Sequence, residues 1–186
     1  MKRSPMQQRA PRPRKCKAPG CEVKFRPQRM GQIACSPMCA ILMGKRLRMA
    51  QERAALKARK EKARTRSEWL KLAQSAFNAW VRERDRALPC ISCGRMHEGQ
   101  WHAGHYLSTG ARPELRYETI NCWRQCAPCN THLSGNLVLY RAELIRRIGL
   151  ESVEWLEGPH PPRKWSIPDL IAIRDEYRAK MKELRK

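Results

Sequence analysis

Residues 90–93 read CISC and residues 126–130 read CAPCN, and these two motifs decide the predicted fold. In each motif two residues separate two cysteines, a spacing at which both thiolates can bind one metal ion. Two such pairs complete the tetrahedral ligand set of a structural zinc ion. We therefore predict one zinc site formed by Cys90, Cys93, Cys126 and Cys129. The alternative, four buried thiols without a metal, is uncommon for two independent pairs.

A second, looser set of cysteines lies nearer the N-terminus and consists of Cys16, Cys21, Cys35 and Cys39. Its spacings also fit zinc, and we predict a small treble-clef-like finger over residues 16–43. Unliganded thiols are a stronger alternative here than for the first set. The ninth cysteine, Cys122, is predicted to be a buried apolar thiol.

The charge of the chain is strongly positive and unevenly distributed. Lys and Arg total 39 against 17 acidic residues, a net charge of +22, and residues 1–66 contain 20 of the basic residues but only 3 acidic ones. Such a segment favours a polyanionic partner, because each phosphate it neutralises releases counterions. The alternative is a solvated basic helix without a partner. The side chains predicted to contact DNA are Lys45, Arg46, Arg48, Arg53, Arg59 and Lys60.

Membrane and secretory signals are missing from the sequence pattern. No run of about 18 apolar residues indicates a membrane span, and the basic N-terminus is not followed by an apolar stretch. We expect a cytoplasmic protein, in which thiols stay reduced and can bind metal.

The coarse organisation has four parts. Residues 1–15 are predicted to be a disordered basic tail, residues 16–43 the finger, and residues 44–66 a basic helical linker rich in Ala, Lys, Arg and Glu. The fourth part, residues 67–186, forms the main domain. The fold class is α+β, a small zinc-bound core with flanking helices.

Within the main domain we predict three helices and one hairpin. Ser67 caps the first helix, whose core-facing residues recur at spacings of three and four. A β-hairpin is predicted around residues 99–107. A second helix covers residues 136–148 and ends at Gly149. Ser166 and Asp169 cap a last helix over residues 167–185.

The segment between the two zinc motifs reads QWHAGHY (residues 100–106), and Asn130-Thr131-His132 follows the second motif. This arrangement resembles the HNH (ββα-metal) nucleases, most of all the endonuclease VII type of junction resolvase. The resemblance implies that His105 is the general base, that Asn121 holds the loop carrying it, and that Asn130 binds a catalytic divalent ion. His132 is a further candidate ligand. A neutral imidazole accepts a proton near pH 7, and Mg²⁺ or Mn²⁺ prefers oxygen ligands.

One position departs from the HNH pattern. That family usually has Asp or His directly before the base as a metal ligand, and this chain has Gly104 there. His102 would replace that ligand only if a bulge or turn at Gly104 brought it to the same face as His105. The alternative is that His102 is an ordinary surface histidine, as we expect for His97 and His160.

Beyond this motif, the chain resembles the phage lambda NinG family, also called Rap, over nearly its full length. The resemblance rests on RERDRALPCISCG, AGHY, QCAPCNTHLSGNLV, YRAELIRRIG and the N-terminal cysteine finger. It implies a phage recombination endonuclease that cuts branched DNA such as Holliday junctions and D-loops. It also implies two structural Zn²⁺ ions, a catalytic Mg²⁺ or Mn²⁺, and possible phage or host recombination partners.

The sequence is compatible with three hypotheses about the function. The first is the endonuclease, for which a homodimer would match the two scissile strands of a junction. The second is a non-catalytic zinc-dependent DNA-binding protein with a degenerate nuclease site. The third is a transcription factor whose first finger reads sequence.

Overall fold

The structure, a computed structural model, describes residues 12–186. The chain divides into two compact units, one ending at Ala63 and the other running from Arg64 to Lys186. Both are built mainly of helices, and each contains one two-stranded antiparallel sheet within the described residues.

The first unit combines a short hairpin with a long helix. Strand β1 (Arg14–Lys15) pairs with β2 (Lys24–Phe25), and helix α1 (Pro37–Lys62) follows. The Ser36 hydroxyl accepts a hydrogen bond from the Cys39 N–H at 3.2 Å and so caps this helix. Helix α1 begins inside the predicted finger and continues through most of the predicted linker, residues 44–66.

The predicted disordered tail needs a correction at its end. Its first eleven residues lie outside the described part of the chain, but Arg14–Lys15 form strand β1. Ordered structure therefore begins before Cys16. The Cys16 N–H donates to the Val23 carbonyl at 2.9 Å and continues the pairing of the hairpin.

The second unit begins with helix α2 (Arg66–Arg84). Its cap is Thr65 and not the predicted Ser67. The Thr65 hydroxyl accepts from the Glu68 N–H at 3.3 Å, and the Glu68 carboxylate accepts from the Thr65 N–H at 2.7 Å. This reciprocal pair requires a spacing of three residues, which Thr65 has and Ser67 lacks.

The remaining elements of this unit are β3 (Trp101–His105), β4 (Cys122–Cys126), α3 (Leu137–Ile148), α4 (Leu150–Glu157) and α5 (Ile167–Glu183). Helix α3 ends at Gly149, and Ser166 with Asp169 forms a capping box on α5, as predicted. Helix α4 was not predicted.

The predicted hairpin at residues 99–107 is wrong. Strand β3 pairs instead with β4, in a register that runs without interruption from Trp101 opposite Cys126 to His105 opposite Cys122. One strand lies inside the predicted segment, but its partner strand follows only after a long intervening loop.

The β3–β4 ribbon lies between two apolar clusters. One face packs against α2 and α5, where Phe77 and Tyr177 meet edge to face at 4.9 Å between ring centroids. The other face packs against α3, whose Tyr140 and Leu144 are fully buried. Alternate residues of β3 therefore enter different environments.

No helix in residues 12–186 combines the length and the apolar composition needed to cross a bilayer.

Candidate metal centres and nuclease-like site

The main cysteine set converges as predicted. The sulfurs of Cys90, Cys93, Cys126 and Cys129 all lie within 4.8 Å of one another, and Cys93 Sγ is 3.9 Å from Cys126 Sγ. Four sulfurs bound to one zinc ion at about 2.3 Å lie roughly 3.8 Å apart. A disulfide would need about 2.05 Å. The donor set therefore fits a structural zinc ion.

Hydrogen-bond donors surround these sulfurs. The Cys126 N–H donates to Cys90 Sγ at 3.4 Å, and Asn136 Nδ2 donates to Cys129 Sγ at 3.8 Å. His97 was predicted to be a surface residue, but its Nε2 lies 3.3 Å from Cys93 Sγ. Such donors stabilise thiolates and orient metal ligands.

The N-terminal set also converges. Cys21 Sγ and Cys39 Sγ each lie 3.6 Å from Cys35 Sγ, and all four sulfurs of the set are within 4.8 Å. The backbone N–H groups of Ala18 and Cys35 donate to Cys16 Sγ and lower the pKa of Cys16 to about 7. Burial raises the pKa of Cys35 to about 12, so the support for zinc is the convergence of the four sulfurs and not the titration of one thiol. The two tetra-cysteine clusters agree with the prediction of two zinc sites.

Cys122 is separate from both clusters. Its side chain is fully buried on the α2 face of β4, and burial raises the pKa of its thiol well above the ordinary value. This position agrees with an apolar, unreactive thiol.

Asn130 follows Cys129 in a π-helical turn, Pro128–His132, and lies against His102. Asn130 Nδ2 donates to His102 Nδ1 at 2.9 Å. Since Nδ1 accepts, the proton of the neutral ring lies on Nε2. Asn130 Oδ1 faces Gly104, and its distance from the position of a Cβ on that residue would be 3.0 Å. An amide oxygen directed into this space is a suitable ligand for a hard cation.

His105 lies on the opposite face of β3 from this pair. Its Nε2 donates to the Arg116 carbonyl at 2.9 Å, its Nδ1 is 3.6 Å from Cys122 Sγ, and its ring lies 6.0 Å from that of Phe77. Burial lowers the pKa of His105; the hydrogen bond to Arg116 opposes this effect and the Arg116 charge adds to it. The imidazole is therefore neutral at pH 7, but its Nδ1 lone pair accepts from the buried Cys122 thiol.

The bulge that would bring His102 and His105 to one face is absent from this strand. The β3–β4 register is regular at Ala103 and Gly104, so the two histidines alternate. The structure brings His102 and Asn130 together and leaves His105 apart. The roles of all three in catalysis stay predictions.

Asn121 holds the loop that follows His105. It is fully buried, its Oδ1 accepts from the Leu107 N–H at 2.9 Å, and its Nδ2 donates to the Leu107 and Leu115 carbonyls at 3.0 and 3.2 Å. His132 is exposed at the end of the π-helical turn, and no hydrogen bond joins it to Asn130 or His102 in the described chain.

One residue of this site was not predicted. Gln125 stands opposite His102 in the ribbon and is fully buried beside Cys126. The contacts of Gln125 depend on strand pairing. The only sign of its role in the sequence is therefore a glutamine inside a strand that is otherwise buried.

The candidate DNA-contacting side chains lie on α1 in the first unit. This helix has no buried residue, and all six side chains are exposed: Lys45, Arg46, Arg48, Arg53, Arg59 and Lys60. Their charges are available to a polyanion.

The fold and its sites define a basic protein of two units, each with a tetra-cysteine cluster of structural zinc geometry. Residues 8–186 match the family described as Bacteriophage Lambda NinG protein, and the chain belongs to this family.

Individual relatives agree with this assignment. The chain is 45% identical to Protein ninG of Escherichia phage lambda, over 94% of this chain and 95% of that protein. It is 43% identical to Protein ninG of Salmonella phage P22 over 92% and 94% of the two chains. A third relative, Protein ninG of Escherichia phage 933W, is 52% identical over 70% and 65%. No solved structure is significantly similar.

Proposed function

We propose that this protein is a metal-dependent, structure-selective DNA endonuclease that cuts branched intermediates, such as Holliday junctions and D-loops, in phage recombination. The supporting observation is the contact between His102 and Asn130 next to Gly104, directly after the last cysteine of the main cluster. An HNH-type nuclease needs an oxygen ligand at this position.

The proposed roles are those that the resemblance to HNH nucleases implies. Asn130 offers Oδ1 to Mg²⁺ or Mn²⁺, with His132 as a further candidate ligand. His102, the other predicted ligand, accepts from Asn130 Nδ2 through Nδ1 and carries the ring proton on Nε2, so it would have to lose one of these to bind the ion. Such an ion, when bound, stabilises negative charge on the phosphate and the leaving oxygen. Asn130 directly follows Cys129 in the chain, so the main cysteine cluster holds Asn130 in place. His105 is the proposed base, with Asn121 holding its loop, and its lowered pKa keeps it in the neutral form that can accept a proton.

The proposed partner is branched DNA. The exposed basic side chains of α1 supply affinity for phosphates, and selectivity for a branch comes from its shape and phosphate geometry. A homodimer would match the two scissile strands of a four-way junction, and phage or host recombination proteins are further proposed partners.

One observation favours a second candidate, a non-catalytic zinc-dependent DNA-binding protein. His105 faces α2, and its Nε2 donates to a main-chain carbonyl. A histidine held in this way also fits a structural role.

The experiment that separates the two candidates uses a labelled four-way junction with Mg²⁺ or Mn²⁺. Wild type should cut it, and His105→Ala should reduce the rate by about 10²- to 10⁴-fold, the usual contribution of a general base. His160→Ala is the control and should retain the rate, because this half-buried histidine contacts Trp155 and lies outside the candidate site. Zinc content and DNA binding are measured for each variant.

Three outcomes would change the assignment. Binding without cleavage by wild type, with either ion, would favour the non-catalytic candidate. Loss of cleavage in His102→Ala but not in His105→Ala would reject His105 as the base and show that catalysis depends on the His102 face of β3. Equal competition by linear duplex would contradict selectivity for branched DNA and favour a protein that reads sequence.

A further inference from the structure

Two buried polar atoms on the His102 face of the β3–β4 ribbon have no hydrogen-bond partner in the part of the chain that the structure describes. They are His102 Nε2 and Gln125 Oε1. Buried polar side-chain atoms are nearly always paired. Gln125 Oε1 is an acceptor, which a water proton or a cation can satisfy, whereas His102 Nε2 carries the ring proton and requires an acceptor. Gln125 is fully buried, which makes its free oxygen the more unusual of the two.

The orientation of the Gln125 amide follows from its other contacts. Nε2 donates to the Gly135 carbonyl and to Ser92 Oγ, both at 2.6 Å. A carbonyl can only accept, so the NH₂ group must face Gly135. The Ser92 hydroxyl donates its own proton to the same carbonyl at 3.1 Å and therefore accepts from Gln125. These contacts direct Oε1 away from Gly135 and towards Gly104.

Gly104 leaves the space that this oxygen enters. A Cβ on residue 104 would lie 2.1 Å from Gln125 Oε1 and 3.0 Å from Asn130 Oδ1. The first distance is far below van der Waals contact, so no other residue fits at position 104 without moving Gln125. The Gln125 and Asn130 amide oxygens therefore both lie beside Gly104 on the His102 face of the ribbon.

We propose that Gln125 is a ligand of the divalent ion and replaces the ligand that Gly104 lacks. This inference rests on the proposed function for the identity of the ion, Mg²⁺ or Mn²⁺, which prefers oxygen ligands. Gln125 Oε1 and Asn130 Oδ1 form the protein side of the site. His102 acts as a positioning residue, because its Nδ1 accepts from Asn130 Nδ2 and so directs Oδ1 towards Gly104.

The Gln125 and Asn130 amides carry no charge, whereas the affinity of a site for hard cations rises with the number of its charged ligands. The free protein therefore binds the ion weakly.

The test measures Mn²⁺ binding by electron paramagnetic resonance with the full chain. Gln125→Glu adds a charged oxygen at the proposed ligand and should lower the Kd for Mn²⁺ by about tenfold or more. Gln100→Glu is the matched control, because Gln100 is exposed and precedes β3. Gln100→Glu should leave the Kd for Mn²⁺ unchanged. Equal zinc content in all three proteins shows that the cysteine clusters are intact.

A second measurement uses wild type and does not depend on the folding of a variant. Mn²⁺ broadens NMR signals close to it, so the Gln125 side-chain NH₂ signal should broaden at lower Mn²⁺ concentration than that of Gln100. Equal broadening of the two signals would overturn the proposal. A Gln125→Glu protein with normal zinc content that binds Mn²⁺ no more tightly than Gln100→Glu would do the same.

These results are distinguishable from failure of the endonuclease proposal. Cleavage by wild type without the Gln125 effects would reject only the ligand assignment. Mn²⁺ binding through Gln125 without cleavage of any branched substrate would retain the metal site and reject the nuclease function.

Discussion

His102 and His105 project from opposite faces of strand β3, because the strand pairs residue by residue with β4 and contains no bulge. His102 contacts Asn130 beside the main cysteine cluster, whereas His105 contacts the Arg116 carbonyl and the apolar α2 face. The two histidines of the HAGH segment therefore experience different environments, and substitutions at each should have separable effects.

The first prediction concerns the main cysteine cluster. Cys90→Ser should lose one of two zinc ions per chain and abolish the cooperative melting of the second unit, because structural zinc supplies folding free energy. Cys122→Ala is the control: this buried thiol lies outside both clusters, so the variant should retain two zinc ions with only a modest loss of stability. Metal analysis and thermal melting check both variants. An unchanged melting curve for Cys90→Ser would contradict the assignment of the cluster.

The second prediction concerns Gly104. In Gly104→Ala the new Cβ would lie 2.1 Å from Gln125 Oε1, so the buried glutamine must move. Overpacking of this kind should reduce the free energy of unfolding by about 1–3 kcal/mol. Gly110→Ala is the matched control, since its Cβ would meet nothing within 4 Å. Denaturant unfolding measures both, and equal stabilities would show that the space at Gly104 is not restricted.

The third prediction concerns His105 and pH. Burial lowers the pKa of His105 below its unfolded value of 6.5, so the unfolded chain binds more protons than the folded chain as the pH falls through this range. The stabilisation is fully present above pH 6.5 and is lost as the pH falls towards the folded pKa. His105→Gln cannot titrate but can still donate to the Arg116 carbonyl.

Comparing wild type with His105→Gln separates the titration of His105 from the loss of zinc in acid. Between pH 7.5 and pH 6, wild type should lose more unfolding free energy than His105→Gln, as measured by denaturant titration with zinc content checked at each pH. Parallel losses in the two proteins would show that His105 has an unshifted pKa.

The fourth prediction concerns the exposed charges of α1. Changing Lys45, Arg46, Arg48, Arg53, Arg59 and Lys60 to glutamine should weaken DNA binding and flatten its dependence on salt. Each lost phosphate contact reduces the slope of log K against log salt concentration by about 0.9 for duplex DNA. The variant should keep two zinc ions, since none of these residues belongs to a cysteine cluster. A slope equal to that of wild type, measured by fluorescence anisotropy, would show that α1 does not contact phosphates.

Local sequence signals predicted a large part of this protein. The cysteine spacings identified both clusters, the apolar periodicity located α2, and Ser166, Asp169 and Gly149 marked helix ends. These signals work because ligand spacing, helical period and capping each depend on residues within a few positions of one another.

Tertiary structure alone decided the arrangement of the candidate nuclease site. The sequence could not specify that β3 pairs with β4 in place of folding into a local hairpin, because a strand's partner depends on distant hydrogen bonds and on the burial of both faces. That pairing sets which histidine meets Asn130, and it brings the Gln125 oxygen into the space left by Gly104. The cysteine pattern determined where metal would bind, while long-range strand pairing determined which side chains face the candidate catalytic ion.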